Sequence, residues 1–386
     1  MARPYLQGSL TRVLIAGLLL VVGIVGCGDG GTGKHHPGGG GGITPTSFGV
    51  KQLGTSADDI GHSVATDPSG NIFVTGETQG NLFGTNAGGR DIFLVKFKSD
   101  GTQDWTKQFG TAADDIGHGV ATDKDGNIFV TGETLGDLAG TGTFGGRDIF
   151  LVKFKSDGTQ DWIQQVGTIA DDIGRAVATD ISGNIFVTGD TLGDLGKISA
   201  GNSDIFLAKF NSAGVLQPVN LLGTTADDIG RAVATDISGN IFVTGDTLGG
   251  LFGTNAGNPD FFLAKFNSSG VWQGISQVGT IGDDIGRGVA TDSSGNILAT
   301  GETLGSLFQT NAGLRDIFLV KYDTSGNIIW ATQRGTIADD IGHGAATNPG
   351  GNIFVTGETQ GNLEGNKNVG LRDIFLMKFN SAGVLQ

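Results

Sequence analysis

The sequence predicts an all-β protein, a six-bladed β-propeller of four-stranded antiparallel blades closed by an N-terminal strand that completes the last blade. Three observations predict it. One segment returns six times at an almost constant period, each copy but the last holds four strand-like runs, and the segment before the first copy supplies the run the last one lacks.

The period is read from the glycine that opens each copy: Gly54, Gly110, Gly167, Gly223, Gly279 and Gly335, spaced 56 or 57 residues apart. Copies three and four are identical over ADDIGRAVATDISGNIFVTGDTLG, from Ala170 and from Ala226, which indicates recent internal duplication. Composition suits such a fold. With 38% hydrophobic residues the chain can bury a core, and 71 glycines among 386 residues punctuate it with more turns than an ordinary domain has.

Inside the first copy, HSVATD (His62 to Asp67) alternates small and larger residues, as a crowded strand at the axis requires. NIFVTGET (Asn71 to Thr78) and DIFLVKF (Asp91 to Phe97) are β-branched and aromatic throughout, the pattern of strands covered on both faces. QDWTKQF (Gln103 to Phe109) alternates polar with apolar and reads as a half-wet rim strand. DPSG (Asp67 to Gly70) and KSDG (Lys98 to Gly101) put glycine fourth in tight turns, so neighbouring runs are antiparallel neighbours.

The last copy stops at Gln386 after NSAGVLQ, without a rim strand, while FGVKQLGT (Phe48 to Thr55) aligns with DWTKQFGT (Asp104 to Thr111). The N-terminal segment is therefore expected to pair with the last blade and hide two sheet edges. Ladder bonds of about 0.5–1.5 kcal/mol each, with burial of Val50 and Leu53 at roughly 1.5–3 kcal/mol each, would make deletion of Phe48 to Leu53 costly.

VATDPSGNIFVTGET (Val64 to Thr78) and the following DIFLVKF resemble the bacterial β-propeller repeat family abbreviated SBBP, over essentially all of Ser47 to Gln386. That family is named for seven blades, one more than are counted here. The resemblance implies a secreted or surface protein and specifies no chemistry.

The start of the chain supplies an address. Arg3 and Arg12 precede the apolar run VLIAGLLLVVGIVG (Val13 to Gly26), too short for a comfortable span, and small residues precede Cys27. IVGC (Ile24 to Cys27) resembles the lipobox of bacterial lipoproteins, which implies cleavage before Cys27 and acylation, palmitate included, of the new N-terminus. Residues 1–26 then form the signal peptide, 27–46 a lipidated cysteine with a glycine-rich tether, and 47–386 the propeller. Gly28 after the cysteine points to the outer membrane or cell surface. Cys27 is the only cysteine, so disulfides play no part. His35 and His36 lie on the tether without preorganisation for a metal.

Losing a leader with two arginines and no acid takes the formal charge from −15 to −17, a surface that repels phosphate backbones and excludes nucleic acid as a partner. Each copy places an aspartate pair between its axial strand and the preceding rim strand, led by Asp58, Asp114, Asp171, Asp227, Asp283 and Asp339. These fall around one mouth of the channel. A basic residue follows in each copy: His62, His118 and His343 form one arc of a closed ring, Arg175, Arg231 and Arg287 the other. Four readings stand. The aspartates cap tight connections while the basic residues neutralise neighbours; three histidines converge on zinc; the acidic ring holds calcium; or the arginines take a carboxylate or phosphate. No cofactor is required by any motif. DKDGN (Asp123 to Asn127) lacks the glycine and glutamate placement of a calcium loop and reads as a turn.

Function follows the same line. Six near-equivalent blades with loops of varied length suit a lipid-anchored, monomeric cell-envelope module that binds a protein or glycan, with the membrane met only through the anchor. The alternative is a hydrolase or lyase of glycosidase type at the channel mouth. Enzymes break repeat symmetry at the catalytic blade. Here Tyr322 replaces a strand phenylalanine and is the only tyrosine after the leader, so the sequence favours the binder and designates no catalytic residue.

Overall fold

The computed structural model describes residues 51–386. The expected signal peptide, Cys27, the expected tether with its histidine pair, and Phe48 to Val50 lie outside the described residues. Six consecutive antiparallel sheets are arranged as blades, each strand bonded to the next in sequence.

Blade one holds β1 (Asp59–Thr66), β2 (Ile72–Thr78), β3 (Asp91–Phe97) and β4 (Gln103–Phe109). Blade two holds β5 (Asp115–Thr122), β6 (Ile128–Thr134), β7 (Asp148–Phe154) and β8 (Gln160–Val166). Blade three holds β9 (Asp172–Thr179), β10 (Ile185–Thr191), β11 (Asp204–Phe210) and a short β12 (Asn220–Leu222). Blade four holds β13 (Asp228–Thr235), β14 (Ile241–Thr247), β15 (Asp260–Phe266) and β16 (Trp272–Val278). Blade five holds β17 (Asp284–Thr291), β18 (Ile297–Thr303), β19 (Asp316–Tyr322) and β20 (Ile328–Arg334). Blade six has only β21 (Asp340–Thr347), β22 (Ile353–Thr359) and β23 (Asp373–Phe379). Among the described residues no helix is long and apolar enough to cross a membrane.

The inner strands begin three residues earlier than the sequence suggests, because the second aspartate of each pair is already part of the ladder: Asp59 lies opposite Thr78. The outer strand of blade three is short for a local reason. Pro218 has no N–H to give a ladder, and after the isolated bridge Phe210 to Leu216 regular pairing resumes only at Asn220.

Cores lie between blades. Phe73, Ile92 and Leu94 of blade one pack against Ile128, Val130 and Phe150 of blade two, and Leu298, Ile317 and Leu319 of blade five pack against Ile353, Val355 and Phe379 of blade six. The small residues of the inner strands let backbones approach. β1 packs along β5, and the series continues through β9, β13 and β17 to β21.

Each such seam carries two further bonds. A threonine hydroxyl reaches the carbonyl of its counterpart one blade back, as in Thr122 to Thr66 (2.8 Å) and Thr347 to Thr291 (2.9 Å). The N–H of the aspartate that opens the inner strand, the second of its pair, reaches the loop before the preceding third strand, as in Asp115 to the Arg90 carbonyl and Asp340 to the Arg315 carbonyl, both 2.8 Å.

Blade six and blade one do not meet in this way. No comparable packing joins β21 to β1 among the described residues. Ile374 and Leu376 are 67% and 50% exposed, whereas their counterparts Ile317 and Leu319 are 3% and 1% exposed. The expected closing strand is not formed by the described part of its segment: Lys51, Gln52 and Leu53 are exposed and outside any strand.

Candidate functional site

Every inner strand carries a β-bulge at its basic residue. Gly61 pairs with Gly76 and Ser63 with Thr75, leaving His62 as the extra residue, and the same shift recurs at His118, Arg175, Arg231, Arg287 and His343. A bulge re-aims a side chain. In five blades the basic group meets the acid of the adjacent second strand: His62 Nε2 to Glu77 (3.8 Å), His118 Nε2 to Glu133 (3.4 Å), Arg175 to Asp190, Arg231 to Asp246, and Arg287 Nε to Glu302 (2.8 Å). The bulge also requires a glycine opposite it. A Cβ on Gly132 would fall 1.8 Å from the Ile116 carbonyl oxygen.

Where the acid is glutamate, an arginine from the long loop takes its other side: Arg90 to Glu77 (3.4 Å), Arg147 to Glu133 (3.1 Å), Arg315 to Glu302 (3.3 Å) and Arg372 to Glu358 (2.5 Å). Where it is the shorter aspartate, Ser203 or Pro259 stands in the arginine's place. Burial works against ionisation of Glu77 and Glu133, but the neighbouring histidines and arginines hold both carboxyls below the ordinary range.

The two aspartates of each pair have different tasks. The first pins the long loop of the preceding blade: Asp114 accepts from the Arg90 N–H (3.0 Å), Asp171 from the Arg147 N–H (2.9 Å) and guanidinium (3.0 Å), and Asp227 from the Ser203 N–H (3.3 Å). In blade six Asp339 accepts from the Arg315 N–H at 3.4 Å, and in blade five Asp283 lies 3.9 Å from the Arg315 guanidinium. Asp58, at the open seam, holds no such loop among the described residues. The second aspartate is buried in blades two to six and half-buried, at Asp59, in blade one. Asp115 accepts the Thr111 N–H (2.5 Å) and hydroxyl (2.9 Å) on one oxygen and the Thr134 hydroxyl on the other. Burial pushes the carboxyls of Asp115, Asp172, Asp228 and Asp284 up, and an aspartate of the preceding blade adds to it in each case.

His62 and His118 stand edge to face with ring centroids 5.3 Å apart, while His343 is on the far side of the open seam. Burial pushes His118 down and, with the Arg287 charge, takes His343 to about 4. Among the described residues no three His, Cys, Asp or Glu side chains are grouped as a metal would need. The guanidiniums of Arg175, Arg231 and Arg287 are engaged by acids of their own blades, which reduces what they offer an incoming anion. Asp123 forms a turn, its Oδ1 accepting the N–H groups of Asp125 and Asn127, both at 2.9 Å. Tyr322 is fully buried and its phenol is pushed up to about 12 by burial.

One feature of this face was missed from the sequence. The residue after the GET or GDT of the second strand donates its N–H to the first aspartate's carbonyl, and it is leucine in blades two to five: Leu135, Leu192, Leu248 and Leu304. Gln79 and Gln360 replace it in blades one and six. The four leucines are 36–49% exposed. Ile169, Ile281 and Ile337, in the loops that carry the aspartate pairs, are 91%, 87% and 87% exposed. The available signal was that one position alternates between leucine and glutamine in otherwise matching copies.

The fold and this collar of bulged basic residues define a β-propeller built from sequence repeats. The family model described as "SBBP: Beta-propeller repeat" matches residues 49–84, 104–139, 161–196, 219–253 and 273–309, and over these stretches the chain is similar to that family. Two curated relatives are each 23% identical: an uncharacterized WD repeat-containing protein, L264, of Acanthamoeba polyphaga mimivirus over 71% of this chain and 26% of its own, and regulatory protein FlaEY of Caulobacter vibrioides over 76% and 35%. The chain thus spans between a quarter and about a third of the length of these relatives. A solved polysaccharide lyase, a PL25 ulvan lyase, superposes with a TM-score of 0.52 at 13% identity, covering 86% of this chain and 81% of that one, a likeness of fold alone.

Proposed function

We propose that this protein is a lipid-anchored cell-envelope module that binds a protein or glycan through its channel-mouth face. The observation that carries the reading is the arc of half-exposed leucines on four consecutive blades, each bonded through its N–H to the carbonyl of an acidic residue. Clustered exposed apolar groups rimmed by charge are the composition of recognition surfaces. The charged collar beneath is largely matched internally, so it holds the face in shape. The anchor is Cys27, and acylation there is tested by palmitate labelling of the whole chain against Cys27→Ser.

Binding is tested with immobilised full-length protein, challenged with cell-envelope extract and a glycan array. A variant with Leu135, Leu192, Leu248 and Leu304 all changed to serine is expected to lose the retained partner while keeping its melting temperature. Retention unchanged by the four substitutions would remove this face from the reading. Cleavage of ulvan or a related polysaccharide by the purified protein, seen as new unsaturated ends, would replace the binder by the lyase alternative.

A further inference from the structure

At the rim, an indole joins one blade to the next. Trp105, Trp162 and Trp330 stand opposite Lys96, Lys153 and Lys321 in their blades' outer ladders, and each lays its ring on the turn glycine of the following blade. A Cβ added to Gly158, Gly214 or Gly383 would fall 3.0, 2.9 or 2.7 Å from that ring. Between blades three and four Asn220 takes the indole's place, donating its amide to the Gly270 carbonyl at 2.9 Å.

Blade four departs from this pattern. Gly274 stands opposite Lys265, where the tryptophan belongs, and a Cβ on it or on Gly326, the turn glycine of blade five, meets nothing within 4 Å. The rest of an indole seat is built. Lys265 Nζ lies 5.9 Å from the Phe242 ring centre, as Lys96 Nζ lies 5.8 Å from that of Phe73 and 5.9 Å from that of Trp105, so the slot has a cation to set against an aromatic face. The Ser381 carbonyl accepts both Trp330 Nε1 (3.2 Å) and Lys321 Nζ (3.4 Å). Its counterpart at Thr324 accepts Lys265 Nζ (2.5 Å) and has a second lone pair for an indole N–H. Ile328, half-exposed and opposite Tyr322 on the side toward blade four, replaces the Gln103 and Gln160 of blades one and two with an apolar wall.

The displaced tryptophan is two residues away. Trp272 pairs with Phe266, and the bulge that leaves Gln273 unpaired turns it to the blade-three side of the strand, away from the slot. There it stacks on Phe252, with ring centroids 4.8 Å apart, and the two residues are 42% and 39% exposed. Of the four tryptophans in the chain, Trp272 alone is exposed. We propose that β16 is a self-complementary rim contact in which Trp272 of a second copy fills the Gly274 slot, its ring over Gly326 and Lys265 and its N–H on the Thr324 carbonyl. The slot lies on one side of the strand and its occupant on the other, both at the tight-turn end of the blade. A two-fold axis parallel to β16 therefore brings each tryptophan opposite the other copy's slot, which makes the contact isologous and the protein a dimer where the sequence suggests a monomer.

The test is sedimentation of the full-length chain in detergent over a range of concentrations. The parent is expected to dimerise. Trp272→Ala and Gly274→Trp are each expected to weaken the dimer by about tenfold or more, the first by removing the occupant and the second because the chain's own indole closes the slot. Ile328→Gln, the residue that blades one and two carry, is expected to weaken it without altering either ring, and it keeps the test open should Gly274→Trp fail to fold. Mixing Trp272→Ala with Gly274→Trp restores one of the two contacts, so their heterodimer is expected to be tighter than either homodimer, which a general loss of structure would not produce. A parent that stays monomeric at every concentration, or a dimer indifferent to all three substitutions, overturns the proposal. So does a monomeric parent whose melting temperature rises with added indole while that of Gly274→Trp does not, an outcome that gives the slot to a free aromatic ligand. None of these readouts involves the channel mouth, so the binding face and the rim contact stand or fall separately.

Discussion

The Oδ1 of Asp204 occupies the space where Gly223 would carry a side chain: a Cβ built there falls 1.7 Å from it. The aspartate opens the third strand of blade three and the glycine directly follows the fourth strand paired with it, so this contact sets how closely the exit from that fourth strand lies against its neighbour within the blade. It recurs between Asp148 and Gly167 (2.0 Å) and between Asp260 and Gly279 (1.8 Å). Gly223→Ala must push the exit of the fourth strand away from Asp204, and overpacking of this kind costs about 1–3 kcal/mol. Gly274→Ala is the control, because an added Cβ there meets nothing within 4 Å. Urea melts are expected to show a lower midpoint for the first and an unchanged one for the second.

Among the described residues Arg231 is the one ion-pair partner of Asp246, whereas Glu133 has both His118 and Arg147. Pro259 stands where blade two has Arg147. Removing Arg231 therefore strands a buried carboxylate. Because the Arg231 side chain is 23% exposed, the cost of Arg231→Met should fall toward the low end of the roughly 3–5 kcal/mol seen when a buried pair loses one partner. His118→Gln leaves Arg147 in place and should cost clearly less. A double-mutant cycle with Asp246→Asn checks the assignment, since removing the acid as well should recover most of the loss.

These two sites show what was legible in the sequence. The blades were, because strand runs and the glycine-ended turns at Asp67 and Lys98 are local signals repeated in every copy. The bulge at His62 was not: period-two alternation carries no mark for an extra residue, and only the pairing of Gly61 with Gly76 and Ser63 with Thr75 reveals it. The aspartate pairs were visible as a feature repeated before each inner strand, but their division of labour was hidden. Asp114 and Asp115 are the same residue type, and burial alone separates a loop clasp from a ladder residue. The acid partners Glu77 and Asp190 were read as part of strand runs, since their contact with a basic residue 15 positions back depends on the bulge.

His343 gives acid sensitivity a defined sign. Burial and the Arg287 charge lower it to about 4, below an ordinary value of 6.5, so the folded state binds its proton less readily than the unfolded state does. Its contribution is present above pH 6.5 and is lost as pH falls toward 4. At about 1.4 kcal/mol per unit, the loss is roughly 3 kcal/mol. His343→Gln keeps a similar shape without the titration. The difference in unfolding free energy between this variant and the parent, measured by urea melts at pH 7 and pH 4, is expected to shift in the variant's favour by about that amount.

Asp228 works in the opposite direction. Its carboxyl accepts the Thr224 N–H (2.6 Å) and hydroxyl (2.9 Å) and the Thr247 hydroxyl. Burial raises it above 3.8, and Asp204 adds to the rise, so the folded state keeps its proton to higher pH than the unfolded state. Its contribution is full below 3.8 and is lost as pH rises through the folded value, which leaves a cost at neutral pH. An asparagine can replace it without an orphan. The amide oxygen keeps the two Thr224 bonds, the NH2 turns to Thr247 Oγ1, and the Thr247 hydroxyl turns to the Gly249 carbonyl 3.1 Å away. Asp228→Asn is therefore expected to hold stability at pH 7 within about 1 kcal/mol and to flatten its dependence between pH 7 and pH 4. Asp228→Ala strands the part-buried Thr224 N–H and should cost about 1 kcal/mol or more at both pH values. If the two variants lose equally at pH 7, the carboxylate's charge is being used for something other than holding these threonines.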